Sequence, residues 1–312
     1  MRNALFAVGL VALSADGILA ADILPYPNAP RFLTPATVGI VDYNPVFSPD
    51  GKLIVFSRSI GKGAAKLYIV PASGGDPKQL IQGPAPADQS RPSWSVSTGK
   101  IAFTGCGGDL NGKPICRIWV ANEDGTSAHP IALREEATSI YYPSWFPDGK
   151  HLAVLDADQL VIRRVSVTTG ETTNLTDPSK VLTGMPAVSP DGKLVAFAGQ
   201  QNEGRPYNQA RNRIWLLEND GAVKPLEAEP AQGRAPAWSP DGQKIAFESV
   251  RRGTKHNTIF AIDRHGMGLI QITTSDLPSD HASWSPDGRH ITFAYQMPSA
   301  PNAWGIGIVA AP

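Results

Sequence analysis

The chain has 312 residues, and its 28 Lys and Arg balance 28 Asp and Glu, a formal net charge of zero that argues against a protein holding a polyanion over its whole surface. Apolar residues make up 42% and charged residues 18%, a globular balance that excludes a disordered chain or a coiled coil. Gly 30 and Pro 28 together approach a fifth of the chain without a Gly-X-Y period. Collagen is excluded, long helices are disfavoured, and an all-β chain of short strands and tight turns is favoured.

At the N-terminus, Arg2 precedes an apolar run from Ala4 to Leu13, and small residues follow up to Ala20 and Ala21. This pattern predicts a secretory signal over residues 1–20, and the run is shorter than the about 20 residues that span a bilayer. A mature domain over 21–312 is expected, exported to the periplasm or beyond the cell and not membrane-spanning.

From residue 31 onward the chain repeats. Phe47-Ser48-Pro49-Asp50-Gly51 recurs as Trp145-Phe146-Pro147-Asp148-Gly149, Val188-Ser189-Pro190-Asp191-Gly192, Trp238-Ser239-Pro240-Asp241-Gly242 and Trp284-Ser285-Pro286-Asp287-Gly288. A sixth copy, Trp94-Ser95-Val96-Ser97-Thr98-Gly99, lacks the Pro and Asp. Nine residues after each anchor comes Phe56, Phe103, Val154, Phe197, Phe247 or Phe293. The anchors lie 43 to 51 residues apart, close to the period of four-stranded propeller blades.

Each unit is predicted to run as an anchor strand, a tight turn, an alternating second strand, a third strand carrying an aromatic such as Tyr68, Trp119, Trp215 or Phe260, and a short fourth strand. The last unit stops after its third strand. Its missing fourth strand matches Arg31-Phe32-Leu33-Thr34, because Leu33 precedes its anchor by 14 residues, as Leu80 does. The expected fold is therefore a six-bladed all-β propeller of four-stranded antiparallel blades, with an N-terminal strand completing the last blade.

These copies resemble the TolB-type propeller, the WD-like Ser-Pro-Asp-Gly-Lys repeat family of exported bacterial proteins, over residues 31–312. The TolB protein itself carries an α/β domain ahead of its propeller, and here about ten residues separate the signal from the first strand. The resemblance implies a partner that is an envelope protein or cell-wall-associated component.

Cys106 and Cys116 are the two cysteines. In an exported chain they are expected to bridge, at facing ends of the hairpin formed by the second and third strands of their unit.

Antiparallel connectivity places the tight turns on one face and the irregular loops on the other, which makes the loop face the candidate binding surface. Three residues before each anchor lie Asn44, Arg91, Tyr142, Met185, Ala235 and His281, predicted to ring the channel mouth; Pro follows five of them. Asn44, Arg91, Tyr142, Met185 and His281, with Arg251 and Arg252 on a neighbouring loop, are the candidate binding residues. Arg58, Lys62, Lys66, Arg205, Arg211 and Lys255 add positive charge against Asp109, Asp156, Asp158 and Glu203, so the face is expected to suit an acidic ligand or partner surface.

No Gly-x-Ser-x-Gly elbow, phosphate loop or His-Glu-x-x-His occurs. No catalytic residue, cofactor or metal is expected, and a metal held by His256 and His281 carries little weight. Nucleic acid is not an expected partner, and a monomer is expected. The reading is a non-enzymatic binding or scaffold protein; the rival is a propeller enzyme acting on polysaccharide or peptide, with Arg91, Tyr142 and His281 as its acid/base and charge-stabilising groups.

Overall fold

In each copy of the repeat the local chemistry of one turn sets the start of a blade. Ser48 Oγ donates to Asp50 Oδ1 at 2.7 Å, that carboxylate accepts the Lys52 amide at 3.1 Å, and Gly51 closes the turn at φ 72°. The same bonds recur at Ser189 and Asp191, Ser239 and Asp241, and Ser285 and Asp287. The Ser48 hydroxyl, first among the causes, holds the exposed Asp50 carboxyl down at about 2. These aspartates are turn formers.

The computed structural model describes residues 29–110, 113–134, 139–226, 232–250, 256–300 and 302–312. The signal segment expected over residues 1–20 and the loop residues Arg251, Arg252 and Lys255 lie outside the described residues. Apart from one 3₁₀ turn at Gln209–Arg211, the described elements are strands. No described helix is long and apolar enough to cross a membrane.

Four antiparallel four-stranded sheets stand separately, each built from one repeat copy; the first of them contains Asp88–Trp94, Ile101–Leu110, Lys113–Ala121 and His129–Pro130. Six separate sheets are expected from the repeat, and here the structure corrects the sequence. The first and last units share one eight-stranded sheet, because Val41 of Ile40–Phe47 pairs in parallel with Trp304 of Trp304–Ala310. The closing strand forms as the 14-residue offset predicts, shortened to Arg31–Phe32. Arg31 pairs with Ile308 and Phe32 with Gly307, antiparallel. Beyond it, the amides of Leu33 and Thr34 both donate to Ile306 O, at 2.7 and 3.2 Å.

The core lies between the units. Buried apolar side chains among the described residues form six clusters, each drawing on two neighbouring units; one joins Leu33, Phe47, Ile54, Phe56 and Val70 to Ala294, Ile306 and Ile308. The residue nine positions after each anchor is at most 1% exposed in all six copies. Four of these stack on the aromatic of the third strand, as Phe103 does on Trp119 at 6.3 Å. Cys106 and Cys116 face each other across one hairpin and form the disulfide.

Candidate functional site

Each innermost strand carries a register shift just before its anchor, between Tyr43 and Val46, Ser90 and Ser93, Tyr141 and Ser144, Gly184 and Ala187, Arg234 and Ala237, and Asp280 and Ser283. At the centre of these bulges sit Asn44, Arg91, Tyr142, Met185, Ala235 and His281, all with φ between 46° and 55°. Five of the six are neither Gly nor Asn, so each costs of order 1–3 kcal/mol in backbone strain. The Pro that follows five of them removes an amide the bulge would leave unpaired; Ala282 follows His281. A bulge re-aims its side chain, and these six aim at one place. Together with the prolines behind them they line a cavity of about 110 Å³ at the channel mouth. The predicted ring is thus assembled, with no two members alike.

The mouth residues are also held by the preceding unit. The Tyr142 amide donates to Thr104 Oγ1 at 3.2 Å, and the His281 amide donates to Glu248 Oε2 at 3.0 Å. Thr104 and Glu248 occupy the same repeat position, ten residues after their anchors. Arg91 lies over the Tyr142 ring at 4.2 Å and near Tyr141 at 5.5 Å, a cation–π stack across two units.

Beneath His281 the structure gathers a polar cluster that sequence reasoning misses. Ligand-type atoms of Glu248, Asp280 and His281 lie within 4.8 Å of one another. Glu248, 1% exposed, is paired with Arg234 at 3.0 Å. Asp280 accepts from the Tyr43 hydroxyl and, at 2.7 Å, from Asn257 Nδ2. The Tyr43 ring packs on His281 at 4.6 Å and edge-on to Trp304 at 5.0 Å. Asp280 also borders a second cavity of about 400 Å³, shared with Arg234, His256, Asn257 and Trp304. His256 and His281 therefore face different cavities, and the described group that could hold a cation is Glu248, Asp280 and His281 instead.

Burial, and then the Asp280 charge, push the Glu248 carboxyl up to about 8, so it holds a proton at neutral pH. Burial pulls His281 down to about 4, leaving a neutral ring. Burial and Asp280 raise Tyr43, keeping its hydroxyl a donor.

The consequence for stability has a definite sign. Between pH 4.5 and about 8 the native chain retains the Glu248 proton that the unfolded chain loses, so this group makes stability fall as pH rises. His281 acts oppositely between about 4 and 6.5, where the unfolded chain binds the extra proton and stability rises with pH. Of these two groups, Glu248 alone contributes a slope above pH 6.5. Urea unfolding from pH 6.5 to 8 is expected to show a decline that Glu248→Gln flattens; parallel wild-type and variant curves would contradict it.

Ion pairs remove charge of both signs from the count made for the loop face. Arg58 is consumed by Asp42, with Nε donating at 2.6 Å and Nη2 at 2.7 Å, and the buried Asp156 pairs with Arg163 at 2.8 Å. The basic residues expected here also include Arg251, Arg252 and Lys255, which lie outside the described residues.

Comparison with known proteins follows the same architecture. A family model described as the TolB beta propeller domain matches residues 36–228. The Tol-Pal system protein TolB of Francisella tularensis is 26% identical over 57% of this chain and 40% of its own length. The oligogalacturonate lyase of Dickeya dadantii is 28% identical over 54% of this chain and 42% of its own. The chain thus spans less than half of either relative. Among solved structures, a TolB-type protein from Agrobacterium tumefaciens superposes with a TM-score of 0.64 at 20% identity, covering 87% of this chain and 91% of that one.

Proposed function

The chain belongs to the TolB β-propeller domain family, and from that premise we propose that it is an exported, non-enzymatic binding module whose loop face and channel mouth engage an envelope protein or cell-wall-associated ligand. The observation that carries this reading is the mouth ring: six chemically different side chains on positive-φ backbone, strained at five of the six, turned toward one cavity. Such strain is kept where the surrounding structure over-determines it, and an asymmetric ring suits an asymmetric ligand. The reading takes the eight-stranded sheet as two blades, which makes six with the four separate sheets. It also takes residues 1–20 as the export signal and 21–312 as one monomeric domain; the disulfide supports an oxidising compartment.

Mild cross-linking followed by pull-down from the native envelope tests the reading. Asn44→Gly, which suits the positive φ, with Met185→Ala, and separately Arg251→Ala with Arg252→Ala, should each reduce partner capture at least several-fold while leaving the Tm near that of wild type. Lys150→Ala, beside a turn on the opposite face, should capture normally. Equal loss from Lys150→Ala would remove the assignment of faces.

One observation favours a second reading, a propeller enzyme acting on polysaccharide or peptide. Asp280 borders the 400 Å³ cavity, with Glu248, Tyr43 and His281 beside it, and burial followed by the Asp280 charge pushes the Glu248 carboxyl up to about 8. Turnover of polygalacturonate or of a peptide library that is abolished by Asp280→Asn would establish it in place of the binding reading.

A further inference from the structure

We propose that the channel mouth is a carboxylate receptor: the Nε edge of Arg91 takes a carboxylate carried by a peptide segment that enters from the loop face. The inference rests on the binding reading and names the group that such a partner would insert.

Arg91 differs from the other inward arginines in lacking an acid. Arg58 grips Asp42 with Nε and Nη2, Arg234 reaches Glu248 at 3.0 Å, and Arg163 reaches Asp156 at 2.8 Å. The Arg91 Nε is buried and has no hydrogen-bond acceptor among the described residues, and no described carboxylate forms an ion pair with this guanidinium. Its polar contact is a long one, Nη1 to Ser90 Oγ at 3.5 Å. A buried, charged donor without an acceptor is costly, and aromatic stacking offsets only part of that cost.

The surroundings set what fits. Tyr142 covers the face of the guanidinium at 4.2 Å, so stacking leaves its edge as the part that reads a ligand. An edge presenting two parallel N–H groups matches a planar carboxylate, as Arg58 already shows on Asp42 within the same molecule. Across the cavity, His281 Nδ1 is likewise buried without a hydrogen-bond partner among the described residues, 3.5 Å from Glu248 Oε2. The cavity of about 110 Å³ is well above the ~10–15 Å³ that one water needs on the same measure, room for a carboxylate and the carbon that bears it. The charges around the mouth also favour an anion. Among the described residues lining this cavity Arg91 is the one Lys, Arg, Asp or Glu, whereas Arg234 and Asp280 border the second cavity.

The carboxylate could belong to an Asp or Glu side chain or to a chain terminus, and the test separates the two. The Arg91 Nε resonance of the intact mature protein, assigned through its loss in Arg91→Lys, is followed during titration with sodium acetate, N-acetyl-aspartate amide, N-acetyl-alanine, N-acetyl-alanine amide and sulfate. Acetate and at least one of the two peptide acids should shift it saturably, while the neutral amide and sulfate should not. Whichever acid binds at least tenfold more tightly identifies a side-chain or a terminal carboxylate. Saturable acetate-induced shifts of the backbone amides of Tyr142 and His281 should weaken at least tenfold in Arg91→Lys, which keeps the charge without the fork, and vanish in Arg91→Gln. An unshifted wild-type Nε resonance, an equal response to the neutral amide, or undiminished acetate binding in Arg91→Gln would overturn the proposal. If the envelope partner is still captured when acetate binding is absent, the carboxylate receptor falls and the binding reading stands. If acetate binds through Arg91 but mouth substitutions leave capture unchanged, the binding reading falls and the carboxylate site stands.

Discussion

Asp42→Ala should destabilise the protein by about 3–5 kcal/mol, the range for removing one partner of a buried ion pair. Asp42 has no exposed surface, and it accepts from Arg58 Nε and Nη2 and, at 2.7 Å, from Thr34 Oγ1. Alanine would leave the Arg58 guanidinium, 13% exposed, beside Phe56 and Tyr68 without its counter-charge. The Thr34 hydroxyl, which also accepts the Ile306 amide at 2.8 Å, would lose its own acceptor. Desolvation without pairing is the mechanism, so removing both charges should hurt less than removing one. Asp42→Ala with Arg58→Met is therefore expected to regain about half of the loss in urea unfolding. A single-variant effect below about 1 kcal/mol would show that Asp42 is not the buried counter-ion described.

Deletion of residues 21–35 should cost about 3 kcal/mol or more, a scale set by losing one buried leucine with its hydrogen bonds. Leu33, 8% exposed, packs with Ile306 and Ile308. Tyr295 donates its hydroxyl to Thr34 O at 3.1 Å, accepts the Ala36 amide at 3.1 Å, and stacks on Phe32 at 4.2 Å. Without this segment the edge of Trp304–Ala310 would be open to another chain, so the truncated protein should associate at concentrations where the intact one does not. In the intact protein, hydrogen exchange at the Leu33 and Thr34 amides should be as slow as at Ile306 and Ile308. Fast exchange at the first pair beside slow exchange at the second would refute closure by this segment. Because Thr34 joins the closing strand to Asp42, the truncation and Asp42→Ala should together cost less than their sum.

The features legible in the sequence are those that repeat or lie close together. The Ser-Pro-Asp-Gly turns are self-contained hydrogen-bonded units, the phenylalanines hold a constant offset from their anchors, and the cysteines sit on one hairpin. Even the mouth ring is readable, because a single register position places six residues around one axis. The join between the first and last units is not, since it rests on a single parallel pair, Val41 with Trp304, contributed by opposite ends of the chain. Counting charges also misleads at Arg58, which lies at the end of a strand but turns inward to Asp42.

The cluster beneath His281 is the larger miss, and a signal for it exists. At the position ten residues after the anchor, Ser57, Thr104, Leu155, Ala198 and Ala294 are small or uncharged, whereas the fifth copy has Glu248. An acid at a buried repeat position calls for a partner. The position just before the mouth ring supplies Arg234, Asp280 and Tyr43 from the fifth, sixth and first copies. Only ring closure brings the first copy beside the last two. Comparing copies column by column would have picked out Glu248, while its pairing required the fold.

Photo-cross-linking from within the mouth tests the central claim, that this protein binds through its asymmetric ring. A photoreactive amino acid replacing Met185, which lines the mouth, is compared with one replacing Val96, 83% exposed in the turn of the second copy on the opposite face. In cells exporting the protein, irradiation should yield a discrete adduct from position 185 that an excess of unlabelled wild-type protein competes away, and none from position 96. A competed adduct from position 96 with none from position 185 would place binding on the turn face and contradict the account.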